Sequence, residues 1–495
     1  MVPETVNHFI GGQYARSTYG KTFGVADPAT GKEYARVAVG LGADVNNAVR
    51  AALIAFETGP WPGLAAPERV GVLNGIADAI DARADDIASA EALGTGLPVT
   101  QAREQAAQAA EQFRRAASLV PVRHEDDAPP ASGQPSSVAQ RAAGVAGVIT
   151  PWRTPFLAQA RALASALAAG CTVVLSPDVW APLPAALLAE ITTGAGLPDA
   201  VVNVVYGTGD WRGDGDGART DARDALVAHP HVVRLSFAGE TAPGQQVMRD
   251  AVTHRKDLSA ELAGDSPCII FADADLEQAT DSALFGAFSL NGQRRTASST
   301  ILAERPVYDA LVSRLAMRAR RIRVGDPSDP ATELGALVHP EHHERVSSYV
   351  RLGMREGARL AAGGRRPAGL AEGNYLEPTV LADVTPSMRI FQEEICGPVL
   401  RVTPFDTDEE AVSLANAAKH APAAYIWTPD LQRAHRLAQA IESVATWVNS
   451  HNARDLQPSS GGAGEEDGPG RIDFYTRSRT VHVAADDRPV PRLGA

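Results

Sequence analysis

Val145-Ala-Gly-Val-Ile-Thr-Pro-Trp-Arg153 is a short apolar run that stops at a proline, with a helical pattern beginning at Pro155. The same arrangement recurs at 172–175, 201–206 and 232–237, followed by helical stretches that start near Pro184, Ala218 and Gly244. Runs this short, rich in valine and bounded by turn residues, read as strands. Strands alternating with helices imply right-handed crossovers and an α/β, doubly wound parallel sheet of Rossmann type. Such sheets take ligands beyond the carboxyl ends of their strands, here 150–154, 176–180, 207–213 and 238–241. A second α/β pattern opens at Cys268-Ile-Ile-Phe271 and runs past Trp447-Val-Asn449.

On the amino-terminal side, His8-Phe9-Ile10-Gly11-Gly12 and Asp27-Pro-Ala-Thr-Gly31 read as short strands with tight turns. Asp44 is placed to cap a helix carrying Val45, Ala48, Val49, Ala52 and Phe56 on one face. Further helices are expected over 67–87 and 101–118. The acidic, proline- and serine-rich stretch 123–139 reads as a protruding connection. At the other end, 474–483 reads as a strand suited to pair with that hairpin in another subunit.

The 495 residues suffice for two or three domains, and 44% hydrophobic with 21% charged residues is ordinary for a soluble protein. A formal charge of −13 argues against nucleic acid as partner. No run reaches the roughly 18 apolar residues of a membrane span, and the first residues lack a signal-peptide pattern. A cytoplasmic protein is expected. Three scattered cysteines (Cys171, Cys268, Cys396) form neither a disulfide framework nor a metal site. His339-Pro-Glu-His-His-Glu344 has a metal-like spacing, but it reads as a solvated loop and helix start, and no metal is expected.

Three stretches carry the chemistry: Ala260-Glu-Leu-Ala-Gly264, Gly292-Gln-Arg-Arg-Thr-Ala-Ser-Ser-Thr300 and Glu393-Glu-Ile-Cys-Gly-Pro398. Together with Gly147-Val-Ile-Thr-Pro-Trp152, Ala195-Gly-Leu-Pro198, Phe237-Ala-Gly239, Asp273-Ala-Asp-Leu276, Glu377-Pro-Thr-Val380 and Trp447-Val-Asn449, the chain resembles the aldehyde dehydrogenase superfamily from Phe9 to about Val483. The resemblance implies a dinucleotide-binding-type domain (1–118 and 141–260), a catalytic-type domain (261–474) and a β oligomerisation arm (119–140 and 475–495). It also implies NAD or NADP as cofactor, an aldehyde as substrate, and a homodimer or homotetramer.

The departures from the family pattern fall on its chemistry. The resemblance places Arg295 where the family has its cysteine nucleophile, Arg153 where it has the asparagine oxyanion donor, and Glu261 at the general base. A guanidinium stays protonated and offers no lone pair, so Arg295 cannot replace a thiolate. Thr296, Ser298 and Ser299 read as loop hydroxyls, and Cys396, at a usual phenylalanine, as a small buried residue. Glu261 is expected to form an ion pair with Arg295 or Arg153.

On the cofactor side the resemblance points to Trp152, Ser176 (for a lysine), Val179 (for a glutamate), Gly207, Gly239, Glu240 (for a serine at the pyrophosphate), Leu262 and Glu394. A carboxylate about 4 Å from a phosphate costs about 1 kcal/mol even in water. The usual anchor loop is replaced by Pro458-Ser-Ser-Gly-Gly-Ala-Gly-Glu-Glu-Asp467. Three functions fit: a non-catalytic member with a structural or regulatory role, in a homo-oligomer or beside an active paralogue; an NAD(P)-dependent oxidoreductase with displaced chemistry; and a pocket in which Arg153 and Arg295 hold a small anion.

Overall fold

The structure, a computed structural model, describes residues 3–122, 126–128, 136–208, 221–417, 421–451 and 469–482. Its first large sheet has seven strands in the order Asp257–Leu262, Val232–Gly239, Val145–Thr150, Thr172–Pro177, Val202–Val204, His8–Ile10, Gln13–Ala15. The first five run parallel, and the amino-terminal hairpin adds two antiparallel strands at one edge. Every residue of Val145–Thr150 and Thr172–Pro177 is buried, which is why these strands read as unbroken apolar runs. The expected doubly wound sheet is present.

A second seven-stranded sheet runs Arg359–Ala362, Thr379–Ala382, Val399–Phe405, Thr300–Glu304, Pro267–Ile270, Ala423–Trp427, Ala445–Val448. It is parallel except for its Arg359–Ala362 edge. Each sheet has its own buried apolar clusters.

The helix Pro155–Ala168 lies deep in the first half, and Arg161 is its one residue that is not fully buried. The carboxyl-terminal helix Pro469–Phe474 returns to the same half. Ile472 and Tyr475 join its core. The Tyr475 carbonyl accepts from the Ala143 amide at 2.9 Å and from the Cys171 thiol at 3.1 Å. Arg234 donates to the carbonyls of Phe474 and Thr476 at 2.7 and 3.1 Å.

Three local expectations are corrected. The helix expected over 67–87 is two helices, Ala66–Ala82 and Ala84–Thr95, because Arg83 leaves helical geometry at their junction. Its side chain there reaches Asp86 and Glu190, both at 3.2 Å. Asp44 is not the cap of Gly42–Thr58 but sits inside its first turn, accepting from the Leu41 amide at 3.1 Å and the Thr18 amide at 2.9 Å. The strand Thr476–His482, expected to pair with another subunit's hairpin, pairs antiparallel with Ser136–Ala142 of its own chain. Asp126–Ala128 completes that three-stranded sheet. The expected helix start at Ala218, the glycine-rich stretch from Gly209 to Gly217, and Pro458 to Asp467 lie outside the described residues.

Candidate functional site

The loop carrying Arg295 is set by an unusual backbone. After the helix Leu276–Phe288, Leu290, Asn291 and Gly292 have φ of 54°, 58° and 67°. Side chains rarely adopt this left-handed region, so something must hold it. The Asn291 amide donates to the carbonyls of Gly96 and Ala336 at 2.8 and 2.9 Å and accepts from the Gly335 amide at 2.7 Å. A Cβ on Gly292 would lie 2.3 Å from the Gly397 carbonyl carbon, so only glycine fits.

Beyond this turn the loop is tied at several points. The Gln293 side chain accepts from the Val338 amide at 3.2 Å, and the Thr296 carbonyl accepts from the Tyr425 hydroxyl at 3.0 Å. Ser299 donates to Asp265 at 2.6 Å and accepts from the fully buried Arg401 at 2.8 Å. Ser299 is therefore held in a charged network behind the loop. The Ser298 hydroxyl is fully buried and has no hydrogen-bond partner among the described residues.

Glu261 lies one residue before the end of the first sheet's edge strand and is buried. Arg471 and Arg161 hold it, and the expected Arg295 adds its charge nearby. One carboxylate oxygen accepts from Arg471 at 2.9 Å, and the other lies 3.3 Å from Arg161. Burial opposes its ionisation, but the charges of Arg161, Arg471 and Arg295 outweigh this and hold it at about 2. The pairing follows from the fold: Arg161 is the one charged residue of the helix Pro155–Ala168, and a buried cation needs a counter-charge. A carboxylate so clamped is a weak proton acceptor at neutral pH.

Arg153, at the carboxyl end of Val145–Thr150, instead pairs with Glu394 at 2.8 Å. Burial works against its charge, but Cys396, Glu394 and Glu240 raise its pKa. Among the described residues Arg153 and Arg295 line two different cavities. Arg153 lines a cavity of about 530 Å³ and Arg295 one of about 420 Å³.

The larger cavity lies at the carboxyl ends of the first sheet's strands, where the topology placed it. Trp152, Val179, Gly239 and Glu240 line it, with Asp178 and Trp180. Ser176 is buried within its strand, and Leu262 packs half-buried against the apolar core. Gly207 lies against Asp221, whose carboxylate accepts from the Thr208 amide at 2.8 Å. Glu240 immediately precedes the helix Thr241–Thr253, at the end where backbone amides favour anions. It makes a 3.0 Å ion pair with Arg345, on the helix Pro340–Glu356 of the other half. Burial would push the Glu240 carboxyl up, but Arg345 and Arg153 hold it below the ordinary value.

The histidines 339, 342 and 343 do not form a solvated face. His342 is buried, with Nε2 2.7 Å from the Cys396 carbonyl, and burial lowers its pKa to about 4. His339 stacks on Trp180, with centroids 4.6 Å apart and planes 6° from parallel. His343 reaches the Tyr375 carbonyl at 3.1 Å. Among the described residues no three histidine, cysteine, aspartate or glutamate side chains form a metal site.

All three cysteines are buried, and none lines either cavity among the described residues. Burial pushes the Cys396 thiol up to about 12 and raises that of Cys268 as well. Among the described residues no helix is long and apolar enough to cross a membrane.

The comparisons with known proteins agree over nearly the full length. The sequence model of the "Aldehyde dehydrogenase family" matches residues 14–481. The 5-carboxymethyl-2-hydroxymuconate semialdehyde dehydrogenase of Escherichia coli is 41% identical over 92% of this chain and 95% of its own. The 2-hydroxymuconic semialdehyde dehydrogenase of Pseudomonas sp. (strain CF600) is 37% identical over 97% and 99%. Among solved structures, HpcC from Thermus thermophilus matches with a TM-score of 0.93 at 43% identity, covering 99% of this chain and 95% of its own. The NAD+ complex of an aldehyde dehydrogenase from Bacillus cereus matches at 0.92 and 33%, covering 98% and 97%.

Proposed function

Because the chain belongs to the aldehyde dehydrogenase family, we propose that it keeps the family scaffold while the cysteine-based step is lost. The observation that supports this most directly is the pair Arg295 and Glu261. A guanidinium stands at the position assigned to the nucleophile, and the carboxylate assigned to the base is bound by Arg161 and Arg471. Ser299 is engaged with Asp265 and Arg401, and the buried thiols of Cys268 and Cys396 are far from ionising at neutral pH. Arg153, assigned to the oxyanion, is spent on Glu394.

The residues of the larger cavity do not fit the pyrophosphate of NAD or NADP. The Glu240 carboxylate sits at the helix end that would receive it, and Asp221 crowds the Gly207 turn. On this reading the protein acts structurally or as a regulator, in a homodimer, a homotetramer or a mixed oligomer with an active paralogue. The division into 1–118 with 141–260, 261–474, and an arm of 119–140 with 475–495 belongs to the same proposal.

The relatives' names favour a second reading: an NAD(P)-dependent oxidoreductase acting on a semialdehyde, with a displaced nucleophile. The test is NADH or NADPH formation by the purified protein with a panel of aldehydes, a carboxylated semialdehyde included. No rate above the blank is expected. Any aldehyde-dependent rate would overturn the first reading, and one that Glu261→Gln abolishes while the variant stays folded would favour the second.

A further inference from the structure

The helix Pro155–Ala168 begins without a cap of its own. Thr154, the residue before it, has φ of 40° in the left-handed region and makes no side-chain cap bond. Pro155 has no N–H, so the Phe156 amide is the first donor the helix leaves open. Its acceptor comes from another helix: Oε1 of Glu91, on Ala84–Thr95, lies 2.9 Å away. Glu91 is fully buried, and its Oε2 has no hydrogen-bond partner among the described residues. Further along the helix Gln159 is equally buried, and neither end of its carboxamide has a partner among the described residues. The turn held in this way is shared by two spaces. Pro151, Trp152 and Arg153 line the larger cavity, and Thr154 lines the smaller one.

Two effects act on the Glu91 carboxyl in opposite senses. A helix start favours a carboxylate, whereas a dry site favours the neutral acid. Burial outweighs the Phe156 amide, and the carboxyl is raised to about 7 from an ordinary 4.5. The helices packed against Ala84–Thr95 are Val99–Leu119, Leu183–Gly194 and Pro155–Ala168. On the first, Arg103 pairs with Asp85, and Arg114 with Asp78 and Asp81. On the second, Glu190 pairs with Arg83, which also holds Asp86, and on the third Arg161 pairs with Glu261. Neither these charges nor Glu104, Glu111 and Arg115 of the first helix shift the Glu91 carboxyl. The Tyr34 hydroxyl, 3.4 Å from where a Cβ on Gly94 would stand, is held neutral by burial and then by Asp27.

We propose that Glu91 is a proton-operated pin on the turn 151–154. Neutral, it holds the start of Pro155–Ala168 against Ala84–Thr95; ionised, it releases that start, and with it Arg153 and Thr154 at the walls of both cavities. The folded state raises the carboxyl, so its contribution is full below about 4.5 and is lost as pH rises through about 7.

The test is hydrogen exchange of the full-length protein, read by mass spectrometry at about pH 5 and about pH 8 and corrected for the intrinsic rate. Residues 154–160 are expected to open at least about tenfold more readily at the higher pH. His342, beside Trp152, changes charge at about 4, below this window. Glu91→Gln keeps a carbonyl to accept from Phe156 but cannot ionise, so it should keep the protection and remove its dependence on pH. A wild type without the extra opening, or a folded Glu91→Gln that retains it, overturns the proposal. If that variant fails to fold, the wild type decides alone. Opening confined to 88–96 and 151–160 supports the pin, and opening absent there or spread evenly over the first sheet overturns it.

Discussion

Glu261→Gln lowers the stability of the folded chain by about 3–5 kcal/mol, the range for breaking a buried ion pair by removing one partner. The carboxylate is 4% exposed, and the side chains of Arg471 and Arg161 are only 9% and 12% exposed. Glutamine keeps the shape and one carbonyl acceptor but removes the negative charge. Two guanidiniums are then left close together, with Arg295 adding a third positive charge nearby. The measurement is the urea midpoint, which should fall at an unchanged slope. Replacing all three of Glu261, Arg161 and Arg471 by apolar residues of similar volume should cost much less, because no buried charge is orphaned.

The same site sets a dependence on acid. The folded-state carboxyl is depressed to about 2 from an ordinary 4.5. Its contribution is therefore fully present above about 4.5 and is lost as pH falls through about 2. The wild type should lose stability across that window more steeply than Glu261→Gln. An unchanged urea midpoint and an identical acid profile would mean that Glu261 is a solvated carboxylate, free to act as a base.

Glu240→Ser should raise the affinity for NAD+ by about tenfold to a hundredfold, the effect of lifting one charge from beside a pyrophosphate at a partly screened site. The wild-type carboxylate stays ionised because Arg345 and Arg153 hold it so, and its ion pair with Arg345 joins the two halves of the chain. Removing it opens the helix end and leaves Arg345 facing the cleft. Calorimetry of both proteins with NAD+ and NADP+ decides the matter. Equal affinities would show that the carboxylate does not govern entry.

The fold was legible because two signals agreed. The alternation of short apolar runs with helices gave the first parallel sheet, and the ordered motifs gave the family. The site was legible only as positions. Arg295 and Glu240 could be flagged from their places in the chain, but their partners could not. Arg471 lies 210 residues from Glu261 and Arg345 lies 105 from Glu240, and pairings at such separations leave no local trace. Arg161 was the exception that went unread. A lone charge in an otherwise apolar helix announces a buried partner, and that signal was present in the sequence.

The helix Pro469–Phe474 and Tyr475 bear on the order in which the molecule is completed. During synthesis the first sheet leaves the ribosome long before the second. Yet Glu261 waits for Arg471, and Ala143, Cys171 and Arg234 wait for the carbonyls of Phe474, Tyr475 and Thr476. The half that is translated first is finished by residues that emerge only after the second sheet. A nascent chain stalled before Arg471 would hold a folded second sheet beside a first one still missing part of its core and one of its buried counter-charges.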